Sequence, residues 1–185
     1  MSDSSTPRYT GVAIFLHWLI ALGIFCMIPL GVYMHDLPLS PQKLQLYSLH
    51  KSVGVLLLLL IFIRLFWRAT HRPPALPAAM SAKEQRIAHG MSHALYLFML
   101  LSPVTGGLMS AFFGKPLVLF GILPMPSPVE ANEDIGKLFA ILHEVSNYAL
   151  CTLVALHILA SLKHHFKDRD DVLIRMLPFL AKSRP

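Results

Sequence analysis

Charge is scarce in this chain. Asp, Glu, Lys and Arg make up 14% of its 185 residues, against 55% that are hydrophobic. Ordinary soluble domains carry about 25% charged residues, so a water-facing surface of the usual kind is excluded. Cysteine is almost missing: Cys26 and Cys151 both fall in apolar runs, and no disulfide framework is expected. Internal repeats and low-complexity tracts are also lacking. Acidic residues number only ten against sixteen basic ones, giving a net charge of +6 and a pI of about 9.6. The Lys and Arg flank apolar spans, which reads as membrane topology and not as nucleic-acid binding.

What the chain has is long apolar runs and a mean hydropathy of +0.57. Four of them, at about 11–34, 44–67, 87–113 and 134–165, are long enough to cross a hydrocarbon core of about 30 Å. The third is expected to loosen near Pro103 and Gly106–Gly107, and Asn132, Glu133 and Asp134 form a plausible start to the fourth. The first run exceeds a signal-peptide core and lacks a strongly basic lead-in, so it is expected to stay as a span. The proline-containing stretch 114–131 should lie over the mouth of the bundle. The tail, 166–185, mixes charges with Leu173, Ile174, Met176, Leu177 and Phe179, which suits an interfacial helix. The expected fold is all-α: one domain over 1–185, a four-helix transmembrane bundle. Of the sixteen Lys and Arg, only Lys43, Lys51, Lys115 and Lys137 fall on one side. Positive charge then puts both termini in the cytoplasm.

Four of the histidines within these spans stand out: His17, His50, His143 and His157. His143 and His157 are fourteen residues apart on one helix, a rise of about 21 Å and a return to within about 40° of one direction. His17 enters span one from the cytoplasmic end, and His50 enters span two from the opposite end. Matching depths pairs His17 with His157 and His50 with His143. Ionisable groups at membrane depth are costly and mark function. Two imidazole pairs, one above the other, suit the axial ligation of two haems. No Cys-x-x-Cys-His motif is present, so such haems would be of b type. Arg64, fourteen residues after His50, would meet haem propionates at the inner level, with Arg68 as a second partner. Gly54 leaves space beside His50. A proton- or metal-carrying bundle also accommodates buried imidazoles, although carboxylates other than Glu144 are not adjacent. A single intramembrane histidine can also serve only to hydrogen-bond a neighbouring carbonyl.

The run Ile14-Phe15-Leu16-His17-Trp18-Leu19, His50 with Arg64 and Arg68, and Ala88-His89 with His93 and Tyr96 resemble the bacterial di-haem cytochrome b-561 family. His143, His157 and the closing His164-His165-Phe166-Lys167-Asp168 with Leu173, Arg175 and Met176 extend the likeness over nearly the whole chain. The resemblance implies a multi-pass protein of the bacterial inner membrane with two haem b. It also implies electron transfer from periplasmic superoxide to the ubiquinone pool, or service as a cytochrome subunit for a periplasmic redox protein. His164 is implied near the quinone. His89 and His93 are further quinone candidates, with interfacial snorkelling as their plainer role. Lys51 and Lys137 are candidates for steering an anion to the outer level. Trp18, Trp67, Tyr33 and Tyr47 fit an aromatic belt.

Overall fold

The computed structural model describes residues 8–115 and 117–178. Pro116 and the last part of the expected tail, 179–185 with Phe179, lie outside the described residues. Four long helices form: α1 Gly11–Asp36, α2 Pro41–Thr70, α3 Ala82–Phe112 and α4 Glu133–Lys163. Their lengths of 26, 30, 31 and 31 residues each exceed what a bilayer core requires. All four are apolar enough to span a membrane.

Each helix begins where a short polar side chain satisfies a free N–H group. Thr10 Oγ1 accepts from the Ala13 amide at 3.2 Å, and Ser40 Oγ from that of Lys43 at 3.2 Å. Ser81 and Glu84 form a reciprocal capping box. Asn132 Oδ1 accepts from the Ile135 amide at 3.1 Å, with Glu133 and Asp134 in the first turn. Helix α3 runs unbroken through Pro103. Two residues on, Thr105 Oγ1 donates back to the carbonyls of Leu101 (2.7 Å) and Ser102 (3.0 Å), which keeps its hydroxyl satisfied inside the apolar span.

The polarity of the bundle is that of a membrane protein. Large apolar side chains such as Phe15, Leu22, Phe62 and Phe66 point outward, while Ser52, Thr105, Ser110 and Ser146 are buried. Small hydroxyl residues let helix backbones approach, and the lipid takes the apolar faces. Helix α1 packs along α2, α3 along α4, and α2 touches α3. Helix α4 shares no extended backbone contact with α1 or α2 among the described residues. The bundle is therefore two helical hairpins meeting at α2 and α3, with the backbone of α4 set back from α1 and α2.

The stretch after α3 carries structure not foreseen from the sequence. Strands β1 (Leu117–Leu119) and β2 (Leu123–Met125) pair antiparallel, and Phe120 and Gly121 make the turn with φ of 50° and 72°. The run is short and apolar without clean alternation, so it gives little strand signal. The Phe120 amide donates to Ser52 Oγ at 2.8 Å, fastening this hairpin to α2 two residues beyond His50.

Among the described residues the tail does not form the interfacial helix expected for 166–185. Residues His164–Asp168 form a π-helical turn, Arg169 adopts a left-handed φ of 55°, and turns follow. The segment folds back as a strap: Trp18 Nε1 donates to the Met176 carbonyl at 2.9 Å, and Arg175 to that of Ala75. Buried Arg175 and Ile174 hold it in place. Tertiary bonds outweigh the weak helical preference of so short a piece.

Candidate functional site

The four histidines lie on α1, α2 and α4. His17 on α1 and His157 on α4 face each other with ring centres 6.2 Å apart. His50 lies on α2 and His143 on α4, fourteen residues before His157 on the same helix. All four are half-buried.

Around the first pair the polar groups come from α1, α2 and α3. Arg64 donates to the Ala13 carbonyl (2.7 Å) and to Tyr96 Oη (3.0 Å), and its remaining nitrogen lies 3.4 Å from His17 Nδ1. Arg68 sits 5.6 Å from the centre of the Tyr96 ring. The two arginines, Tyr9, Trp67 and Tyr96 line a small cleft beside this level. The two guanidinium groups put positive charge beside this level.

Around the second pair the helix backbones supply the space. An ideal Cβ on Gly106 would fall 2.8 Å from His143 Cε1 and 3.0 Å from Nδ1. Only glycine lets α3 come so close. An ideal Cβ on Gly31 would fall 3.4 Å from His50 Cε1, an ordinary contact, and Gly54 has nothing within 4 Å of its Cβ position. His143 Nδ1 donates to the Ser102 carbonyl at 2.8 Å, which fixes the tautomer and leaves Nε2 as the lone-pair nitrogen. Ser102 Oγ donates to Asn147 Oδ1, and Asn147 Nδ2 to the His143 carbonyl, both at 2.8 Å. His50 Nδ1 is buried with no hydrogen-bond partner among the described residues.

The other sequence candidates are not gathered at one place. His89 and His93 are exposed on α3, with His93 Nδ1 against the His89 carbonyl at 2.8 Å. His164 is buried and faces Asp170 (2.6 Å) and Asp168 (3.2 Å). Lys51 Nζ is 3.4 Å from Ser110 Oγ, whose hydroxyl donates to the Lys115 carbonyl. Lys137 pairs with Glu133 (2.9 Å) and Asp134 (3.8 Å) of its own first helical turn. Sequence reading passed over Ser102, Asn147, Gly31 and Asp170. Asn147 alone left a trace, as a polar residue one turn from His143 inside an apolar span.

A four-helix membrane bundle with half-buried histidines on α1, α2 and α4, two of them with ring centres 6.2 Å apart, has the make-up of a membrane-bound cytochrome b. The chain belongs to the prokaryotic cytochrome b561 family, whose model matches residues 8–179. It is a multi-pass bacterial membrane protein of a family that binds b haem and transfers electrons. It is 34% identical over 180 residues to cytochrome b561 homolog 2 of Escherichia coli (strain K12), covering 96% of this chain and 95% of the relative. Cytochrome b561 homolog 1 of the same organism is 27% identical over 175 residues, 92% of this chain and 97% of the relative. A Yersinia pestis protein named "Probable superoxide oxidase CybB" is 26% identical over 171 residues, 92% of this chain and 96% of the relative.

The residues present fit b haem. An iron with an imidazole nitrogen about 2 Å away on each side separates two ring centres by about 6 Å. The His17–His157 separation of 6.2 Å meets that span. The fixed His143 tautomer, the unpaired His50 nitrogen and the open Gly54 face are also what a ligand-bearing pocket needs.

Proposed function

We propose that this cytochrome carries electrons across the bacterial inner membrane, oxidising periplasmic superoxide to dioxygen and reducing ubiquinone. Support comes from the His17 and His157 rings, 6.2 Å apart on α1 and α4, and from the half-buried His50 and His143 on α2 and α4. His17 and His157 would hold the inner haem, and His50 and His143 the outer one. Haem held by these residues would supply one-electron redox chemistry at two depths, which a one-electron donor and a two-electron acceptor require. Arg64 and Arg68 would pair with the propionates of the inner group, Arg64 giving up its contact with His17 to do so. Both termini belong on the cytoplasmic side by the distribution of Lys and Arg. Lys51, adjacent to His50, draws an anion towards the outer level. His164 serves the quinone at the inner end, and exposed His89 and His93 are secondary candidates there.

A pulse of superoxide in a stopped-flow mixer should reduce the purified protein's haems, and ubiquinone should reoxidise them. Haems that stay oxidised after the pulse would sink the superoxide reading. Lys51→Ala should slow the superoxide step and flatten its dependence on ionic strength. Lys137→Ala should leave the rate within about twofold, because its charge is already countered on an exposed helix start.

One observation favours a second reading, a cytochrome subunit that docks a periplasmic redox protein. Residues 120–128 of the hairpin stretch are exposed, with Ile122 at 84%. A broad apolar surface above the outer histidines suits a protein donor better than a small anion.

A further inference from the structure

His164 follows His157 by seven residues, two helical turns, so it lies on the same side of α4 and about 10 Å nearer the helix end. There the helix widens into the π turn and Arg169 reverses the chain. The reversal returns Asp170 to the start of the turn: its amide donates to the His164 carbonyl at 3.2 Å. The Asp170 carboxylate is gripped at both ends. Oδ1 accepts from the Val172 amide at 3.0 Å, and Oδ2 lies 2.6 Å from His164 Nδ1. The other charged groups here are mutually engaged: Lys163 binds Asp168 at 2.7 Å and Glu84 at 3.1 Å. Asp168 Oδ2, held by Lys163 at 2.7 Å, also lies 3.2 Å from His164 Nδ1, so Asp170 at 2.6 Å is the nearer of two carboxylates at this nitrogen. His164 Nε2 has no partner among the described residues and is not among the buried unpaired atoms, so an acceptor can reach it.

We infer that Asp170 is a positioning residue: it holds the His164 imidazole with Nδ1 engaged, so that Nε2–H is presented to the carbonyl oxygen of a bound quinone. The inference rests on the quinone reading above. Reduction of the quinone consumes two electrons, given by two superoxide anions that leave as dioxygen, and two protons from the aqueous phase. For the proton that passes through His164, the Nε2–H bond breaks as the quinone O–H bond forms. Water then restores the proton to Nε2. The Asp170 charge stabilises the imidazolium in that exchange and keeps the ring in one orientation. The strap therefore supplies a partner that α4 alone lacks.

Two readouts test this. Nitrogen-15 histidine spectra of the purified holoprotein should contain, besides the carbonyl-bonded Nδ1–H of His143 and His93, a carboxylate-bonded Nδ1–H that is absent in His164→Gln and weakened or lost in Asp170→Asn. In rapid mixing of the pre-reduced holoprotein with a short-chain ubiquinone, Asp170→Asn should lower the limiting rate about tenfold. Half-saturation by quinone should stay within twofold, the haem spectrum should be unchanged, and Asp170→Glu should recover most of the rate. Asp170→Ser serves in the same assay should the asparagine variant not assemble. An unchanged limiting rate in these variants overturns the inference alone. So does a loss that Asp170→Glu fails to recover. Wild-type haems that quinone cannot oxidise overturn the quinone reading and this inference with it.

Discussion

His17→Ala and His157→Ala should each remove the same component from the redox-titrated visible spectrum, with the double variant losing no more than either single one. The reason is the 6.2 Å separation of the two rings, which lets one iron take a nitrogen from each. Losing one axial imidazole from a noncovalently held haem leaves packing and propionate contacts to retain it, and one of two haem equivalents should be lost or turned high-spin. His50→Ala and His143→Ala should together define the other component. Pyridine haemochrome analysis counts the equivalents, and the spectrum reports which component has gone. Different components for His17 and His157 would break the pairing by depth. A total of one haem in the unmutated protein would end the two-level account.

Gly106→Leu should mimic His143→Ala, although Gly106 has no side chain and contributes no ligand. A Cβ at this position would stand 2.8 Å from the His143 ring, nearer than real Cβ contacts come. The ring cannot yield freely, since its Nδ1 is tied to Ser102 and its backbone carbonyl is held by Ser146 and Asn147. The imidazole must leave its present position, and the outer haem component should disappear while the His17–His157 component persists. Gly107→Leu, one residue on and with nothing within 4 Å of its Cβ position, is the control and should keep both components. Equal spectra for the two variants would show that the close approach of α3 to His143 does not govern the outer level.

The spans were legible because a bilayer imposes a length and an apolar composition that few other environments demand. Helix starts were partly legible too: Asn132 caps α4 as its side-chain chemistry suggests. The four histidines stood out for the opposite reason, as polar groups where polarity is expensive. The neighbours of those histidines were hidden. Gly106 matters because another helix brings a ring against it, and no local pattern announces such a contact. Ser102 acts through a backbone carbonyl, which every residue possesses. The hairpin at 117–125 and the returning strap were missed because hydrogen bonds to Ser52, Trp18 and Ala75 hold them, not any periodicity of their own.

Sequence by itself determined that this chain lies in a membrane as four helices and carries imidazoles at two depths, since hydropathy and helical rise are local properties. Tertiary structure alone decided that the backbone of α4 is set back from α1 and α2, that Gly106 admits the His143 ring, and that Asp170 meets His164. Those outcomes depend on which side chains of distant segments can occupy the same few ångströms, and one-dimensional spacing carries no record of that.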